Sequence, residues 1–376
     1  MQKNSRSKPG KRIRYGVVGL GYISQIAVLP AFAHAKENSE LTALVSSNPQ
    51  KLKKLSQKYK VQHTYSYEQY SECLKSGEID AVYIALPNHM HRAYTESAAQ
   101  AGIHVLCKKP MAFDETECEA MIAAAEKGHV KLMIAYRLHF ERGNLDSIET
   151  IKSGKIGEPR YFTSSFSQQV KVGNSRLRSN VGGGPIYDLG VYCINAARYL
   201  FRSEPEEVFA WNRRSSDKRF QEVPEMTSGL MKFPNDRIAS FTCSFGAADR
   251  SVYEVVGTKG VLKMDPAYEM VEALKSEMTI GGRVQKKVFK KRDQFAPELV
   301  YFSDCILNNK QPEPSGQEGL ADVRVIRALL ESAETNRPVS LPQMKITRRP
   351  DSSQEISKKP VARPPALVKA AAPGAE

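Results

Sequence analysis

Residues 12–24 read RIRYGVVGLGYIS, and the fold turns on them. The apolar run ending in Val17 and Val18 has the β-branched character of a buried strand, and a helical stretch is predicted from Ile23 to Lys36. Between them Gly19 suits a tight turn and Gly21 leaves room for a group pressed against the backbone. Ser24 stands where a third glycine is usual and is still small enough to let helix and sheet pack. In this strand–turn–helix setting the turn reads as a pyrophosphate cradle, with the amides around Tyr22 and Ile23 at the helix N-terminus facing the anion. A glycine turn that only closes a βα unit is the structural alternative.

Outward from that turn, short apolar runs alternate with helical stretches. ELTALVS (40–46), VQHTY (61–65), AVYIAL (81–86), HVLCKK (104–109) and KLMIAY (131–136) are separated by helical patterns at 49–59, 67–75, 91–101 and 115–127. This alternation predicts an α/β Rossmann-type domain with a doubly wound parallel sheet over residues 12–135. After it the pattern changes. Helices at 140–153 and 185–200 precede hairpin-spaced strands at EEVFAWNRRS, MTSGLMKF, RIASFTCSF, SVYEVVGT and GVLKMD, and helices at 296–308 and 319–336 close the body. Residues 136–342 are therefore expected to form an α+β domain with a large open, mostly antiparallel sheet. Its uncovered face predicts a homodimer or homotetramer. Residues 1–11 read as a flexible basic arm. The Pro/Lys/Ala-rich stretch 343–376 cannot build a core of its own and is expected to be disordered.

The chain has 376 residues, 41% hydrophobic and 26% charged, which excludes fibrous and wholly disordered classes. The net charge of +14 sits largely at the ends. Residues 1–14 hold six Lys/Arg and no acid, 345–376 hold seven against three, and the body between is close to neutral with 42 basic and 38 acidic residues. That distribution argues against a nucleic-acid partner. Six cysteines without CxxC spacing read as reduced thiols, and seven histidines without ligand spacing predict no metal. The N-terminus lacks the apolar core of a secretory signal, and stretches such as IAVLPAFAHA fall short of the roughly 20 residues a membrane helix needs, so a cytoplasmic protein is expected.

The second strand ends Val45-Ser46-Ser47-Asn48, followed by Lys51. No acid stands there to hold a ribose 2′-hydroxyl, whereas hydroxyls and an ammonium suit a 2′-phosphate, so NADP is favoured over NAD. Capping of the helix at Pro49 by Ser46 and Asn48 is the alternative. The fifth strand ends Cys107-Lys108-Lys109-Pro110, at the strand end that faces a ligand crevice. Further on, GGGPIYDLGVY (182–192) places Asp188 and Tyr192 four residues apart, on one helical face behind a glycine hinge. Arg137, Arg176 and Arg178 read either as cofactor- or sugar-facing cations or as surface arginines.

With these motifs in order, joined by ALPNHMH, AYRLHFE, KGVLKMDP and the late QFAPELVYF, the chain over 12–342 resembles the Gfo/Idh/MocA oxidoreductases. Within them it is most similar to the glucose–fructose and aldose oxidoreductase branch. The resemblance implies Lys109 as the active-site lysine, Asp188 as a substrate-positioning acid and Tyr192, where many members have His, as proton acceptor. It also implies a substrate site of Lys109, Arg176, Arg178, Asp188 and Tyr192, and places Leu86, Pro87, Asn88 and His91 beside the nicotinamide, with Lys109 and Arg137 facing the cofactor. Lys108 departs from the family's usual glutamate. The implied reaction passes hydride from C1 of an aldose to the nicotinamide of NADP, giving a lactone; a tightly held cofactor would then reduce a second sugar. Tyrosine ordinarily ionises near pH 10, and an ammonium about 5 Å away at an effective dielectric of about 20 offers roughly 3 kcal/mol toward its phenolate. The competing expectation is an NADP-binding sensor on the same scaffold that performs no turnover.

Overall fold

The computed structural model describes residues 11–362 and 365–374; the basic arm expected at 1–11 lies outside them but for its last residue. Six strands, β1 (Ile13–Val18), β2 (Ser39–Val45), β3 (His63–Tyr65), β4 (Ala81–Ile84), β5 (His104–Lys108) and β6 (Leu132–Ala135), form a parallel sheet in the order β3-β2-β1-β4-β5-β6. The two-residue side-chain period sends Tyr15, Val17, Tyr83 and Leu106 into one core and Val18, Val82, Ile84, Val105 and Cys107 into the other. The order in which strands are added reverses between β1 and β4, so the strand ends open a crevice there.

The helix predicted from Ile23 to Lys36 is broken into a wide turn (Ser24–Val28), a short α segment (Leu29–Ala31) and a 3₁₀ turn (Phe32–His34). Pro30, which has no N–H to donate and whose ring crowds the preceding turn, accounts for the break. One helix from beyond residue 135 also packs on the first domain. The helix Ala296–Leu307 returns to the first domain, where Ser303 Oγ bonds Tyr15 Oη (2.8 Å) and Asn38 Nδ2 donates to the Val300 carbonyl (2.9 Å). Its Leu299 and Phe302 complete the core behind β1.

The second sheet has nine strands: β7 (Pro159–Ser167), β8 (Glu207–Arg213), β9 (Met226–Phe233), β10 (Arg237–Ser244), β11 (Arg250–Gly257), β12 (Gly260–Met264), β13 (Leu274–Ile280), β14 (Arg283–Phe289) and β15 (Val339–Ser340). Their order is β14-β13-β12-β11-β7-β10-β9-β8-β15, antiparallel except for the β7–β10 pair. One face packs Phe162, Phe166, Phe241 and Tyr253 into the core, and the other leaves Tyr161, Trp211, Leu230 and Ile238 exposed around a Ser/Thr-rich centre. Among the described residues no helix is long and apolar enough to cross a membrane.

The described residues beyond 342, expected to be disordered, instead run along the body, with a 3₁₀ turn at Ser352–Gln354. They have no core of their own but use the body's polar groups. Arg349 pairs with Glu204 (2.7 Å), Gln354 donates to Glu313 Oε2 (2.7 Å), and Val368 and Gln25 exchange two hydrogen bonds (2.7 and 2.9 Å). The Pro373 carbonyl then accepts from the Lys171 amide (3.0 Å).

Candidate active site

β1 delivers the chain into Gly19, whose φ of +93° suits glycine and where a Cβ would lie 2.8 Å from the Ala85 carbonyl. The turn is closed by the Gly19 amide on the Val45 carbonyl (2.9 Å) and by Ser24 Oγ on the Gly19 carbonyl (2.5 Å), so Ser24 knits the turn rather than only sparing space. No atom lies within 4 Å of where a Gly21 Cβ would be, and Tyr22 and Ile23 are half-buried beside it. Backbone that open beside the start of a helical turn fits a pyrophosphate.

At the end of β2 the capping alternative is realised for two of the expected residues. Asn48 accepts the Lys51 amide (3.1 Å) and buried Ser46 accepts the Asn48 amide (3.3 Å). Ser47 is exposed, and the Lys51 ammonium makes no hydrogen bond or ion pair among the described residues. These two side chains remain available to a 2′-phosphate.

β4 leads into Leu86, Pro87 and Asn88. Asn88 Nδ2 donates to the Gly182 carbonyl (2.8 Å), tying the first domain to the glycine hinge of the second. His91, expected against the cofactor, is instead fully buried. Its Nε2 meets the Leu86 carbonyl (3.0 Å) and its Nδ1 the Pro110 carbonyl (3.1 Å), which fixes the β4 and β5 ends relative to each other. Burial and nearby Lys108 push its pKa down to about 4, so the ring is neutral.

β5 presents Lys109, whose Nζ donates to the Asp188 carbonyl (2.5 Å) and Oδ1 (3.3 Å) and stands 4.4 Å from the centre of the Tyr192 ring. Asp188 lies in a wide helical turn (Ile186–Gly190) and Tyr192 in the helix Val191–Phe201 that continues it. The local widening does not part them, and both reach the same ammonium. Arg176 Nε donates to Asp188 Oδ2 at 2.5 Å. Burial alone would push the Asp188 carboxyl up, but Arg176 and Lys109, with Lys108 beyond, hold it well below the ordinary carboxylate range. The hinge carries the Arg176 loop on its own amides: Gly184 N–H bonds the Arg176 carbonyl (2.9 Å) and Gly183 N–H that of Arg178 (3.0 Å). Arg178 itself is exposed.

Arg137 also departs from expectation. It is buried, its terminal nitrogens donate to Gln294 and to the Tyr268 carbonyl, and its guanidinium lies 5.1 Å over the Tyr192 ring. It therefore packs against the tyrosine ring. Phe166 and Tyr268 pack on the same ring, at centroid distances of 5.5 and 5.9 Å. Sequence reasoning missed Gln294, Tyr268 and Phe166. Gln294 opens the late QFAPELVYF motif and was within reach, whereas the other two have only aromatic character to mark them. The Tyr192 hydroxyl makes no hydrogen bond among the described residues, so a half-buried phenol is left beside a buried ammonium at the crevice. Among the described residues no cluster of His, Cys, Asp and Glu could hold a metal.

Comparison with known proteins identifies the family. Residues 13–136 match the model of the GFO_IDH_MocA oxidoreductase family, NAD-binding Rossmann fold, and residues 147–263 match the GFO/IDH/MocA C-terminal domain. The chain is 30% identical to an NADP(+)-dependent D-xylose 1-dehydrogenase of Haloarcula marismortui, over 88% of this chain and 93% of that protein. Among solved structures, the aldose-aldose oxidoreductase of Caulobacter crescentus complexed with glycerol superposes with a TM-score of 0.84 at 36% identity, covering 88% of this chain and all of that one. A 3-ketoreductase of Actinomadura kijaniata with NADP and TDP-benzene gives 0.79 at 27%, covering 86% and 98%. A nucleotide cradle, a lysine–aspartate–tyrosine cluster across the crevice and two consecutive family matches lead to one conclusion: the chain belongs to the Gfo/Idh/MocA oxidoreductase family.

Proposed function

We propose that the protein oxidises an aldose at C1 to its lactone with NADP as hydride acceptor. The observation that carries this reading is the Lys109 ammonium shared between Asp188 and the face of Tyr192, at the C-terminal end of β5. Ser47, Lys51 and the Gly19–Ile23 turn would hold the cofactor. A bound oxidised nicotinamide supplies the acceptor for the C1 hydride. Tyr192 takes the C1 hydroxyl proton, with the Lys109 ammonium 4.4 Å from the centre of its ring. Asp188 holds Lys109 in place, and Arg137, Phe166 and Tyr268 fix the tilt of the tyrosine ring. The NADP(+)-dependent D-xylose dehydrogenase among the relatives supports both the sugar and the cofactor.

The test is a panel of aldoses followed by nicotinamide absorbance, after measuring the cofactor content of the purified protein. Tyr192→Phe should cut turnover by about a hundredfold or more while NADP binding persists. Unchanged turnover in that variant removes the role from Tyr192. Tight NADP binding without reduction by any aldose would point to the sensor reading. Reoxidation of retained NADPH by a second sugar would establish a two-sugar cycle. The exposed face of the second sheet supports self-association, which sedimentation at several protein concentrations would measure.

A further inference from the structure

The crevice holds more positive charge than the reaction above uses. Asp188 gives one oxygen to Lys109 and the other to Arg176. Arg176 spends only its Nε there, and its two terminal nitrogens make no hydrogen bond among the described residues. Lys108, half-buried beside this group and within electrostatic range of Lys109, Arg176 and Asp188, has no hydrogen-bond or ion-pair partner for its ammonium among the described residues. An ammonium that is half removed from water, unpaired and next to two other cations is costly unless something anionic meets it. The cofactor's pyrophosphate is poorly placed for that. It belongs at the turn after β1, and β4 lies between β1 and β5, so the two strand ends are separated by roughly 10 Å. An oxidised nicotinamide, itself positively charged, enlarges the excess.

We propose that the sugar taken by this site is anionic: an aldose carrying a carboxylate or phosphate ester on the carbon remote from C1, received by the Lys108 ammonium and the free terminal nitrogens of Arg176. This rests on the C1 oxidation proposed above. The anionic group only binds, and the hydride and proton go where they went before. A planar carboxylate suits the two parallel N–H groups of a guanidinium. Burial, with Lys109 and Arg176 nearby, pushes the Lys108 ammonium down to about 8, and a partner anion would raise it again.

The test compares glucose and galactose with glucuronate, galacturonate and glucose 6-phosphate on the NADP-loaded protein, by turnover and by calorimetric binding to the NADPH form. Expected is a kcat/KM about tenfold or more above the neutral parent for an anionic aldose, falling with added salt, with the uronates and the phosphate ester distinguishing the two sources. In Lys108→Gln this preference should shrink about tenfold, and Lys108→Arg should restore it. Equal use of neutral and anionic sugars, or a preference that Lys108→Gln leaves intact, overturns the proposal and leaves C1 oxidation standing. Binding of an anionic sugar that depends on Lys108, without turnover of any aldose, keeps the anion site and removes the oxidation. Thermal unfolding and NADP binding of each variant report whether the fold has survived.

Discussion

The two ends of one helical segment, residues 186–201, carry opposite kinds of charge cluster. At the far end Arg198 is wholly buried and uses all three of its nitrogens, on Glu204 (2.6 Å), Glu318 (2.9 Å) and Asp322. Asn195 bridges Glu318 and Asp322 (3.0 Å each), and His139 sits between Glu313 (3.1 Å) and Asn195 (2.8 Å). At the near end Asp188 meets three cations and leaves one of them, and part of a second, unanswered. A cluster with every donor matched fixes the fold, whereas one with donors to spare is built for something that arrives.

The largest expected effect lies in the closed cluster. Arg198→Ala should cost about 3–5 kcal/mol, read as a fall in the denaturant midpoint, because it strips buried Glu318 and Asp322 of their ion-pair partner. A loss as small as that of a surface arginine would erase the distinction between the clusters. The same cluster should give pH-dependent stability. Burial alone would lower the His139 pKa, but Glu313 and Glu318 raise it to about 9. The folded pKa lies above the ordinary value of about 6.5, so the contribution is fully present below about 6.5 and is lost as pH rises through about 9, by up to about 3 kcal/mol. Denaturation midpoints measured across that window should fall, and Glu313→Gln should flatten the slope.

The open cluster should respond in activity. Asp188→Asn releases Lys109 from its carboxylate and should lower kcat by about a hundredfold through misplacement, with a smaller loss of stability than Arg198→Ala. Smallest, and opposite in sign, Lys108→Gln should raise stability by about 0.5–1 kcal/mol, since it removes an ammonium repelled by its neighbours. A drop in the thermal midpoint would mean that Lys108 has a structural partner after all.

The first sheet was readable because each strand is a short apolar run with its own turn signal, and the glycine turn declared itself by its neighbours. The second was only partly so. β7, at the centre of the sheet, reads PRYFTSSFS, where serines and threonines hide the inward Phe162 and Phe166. β13 and β14 form an edge hairpin through Gly281-Gly282, with charged exposed residues that carry little hydrophobic period. In the site, residue types were legible but side-chain directions were not. Lys109, Asp188 and Tyr192 converge as expected, while His91 and Arg137 turn inward to bond backbone and glutamine. Contacts such as Tyr15 with Ser303, 288 residues apart, have no local signature. The terminal segment misled for the complementary reason, since its polar composition describes the segment alone and omits the surface that receives it.

That segment bears on how the protein can be handled. Val368 is bonded to Gln25, four residues past Gly21, and Pro373 to Lys171, at the start of the loop that carries Arg176. Val368 and Pro373 thus link the dinucleotide side of the crevice to the side that carries Arg176. Any widening of the mouth must break those bonds, so this segment acts as a tie across the crevice. Truncation before Val368 would remove both ties at once.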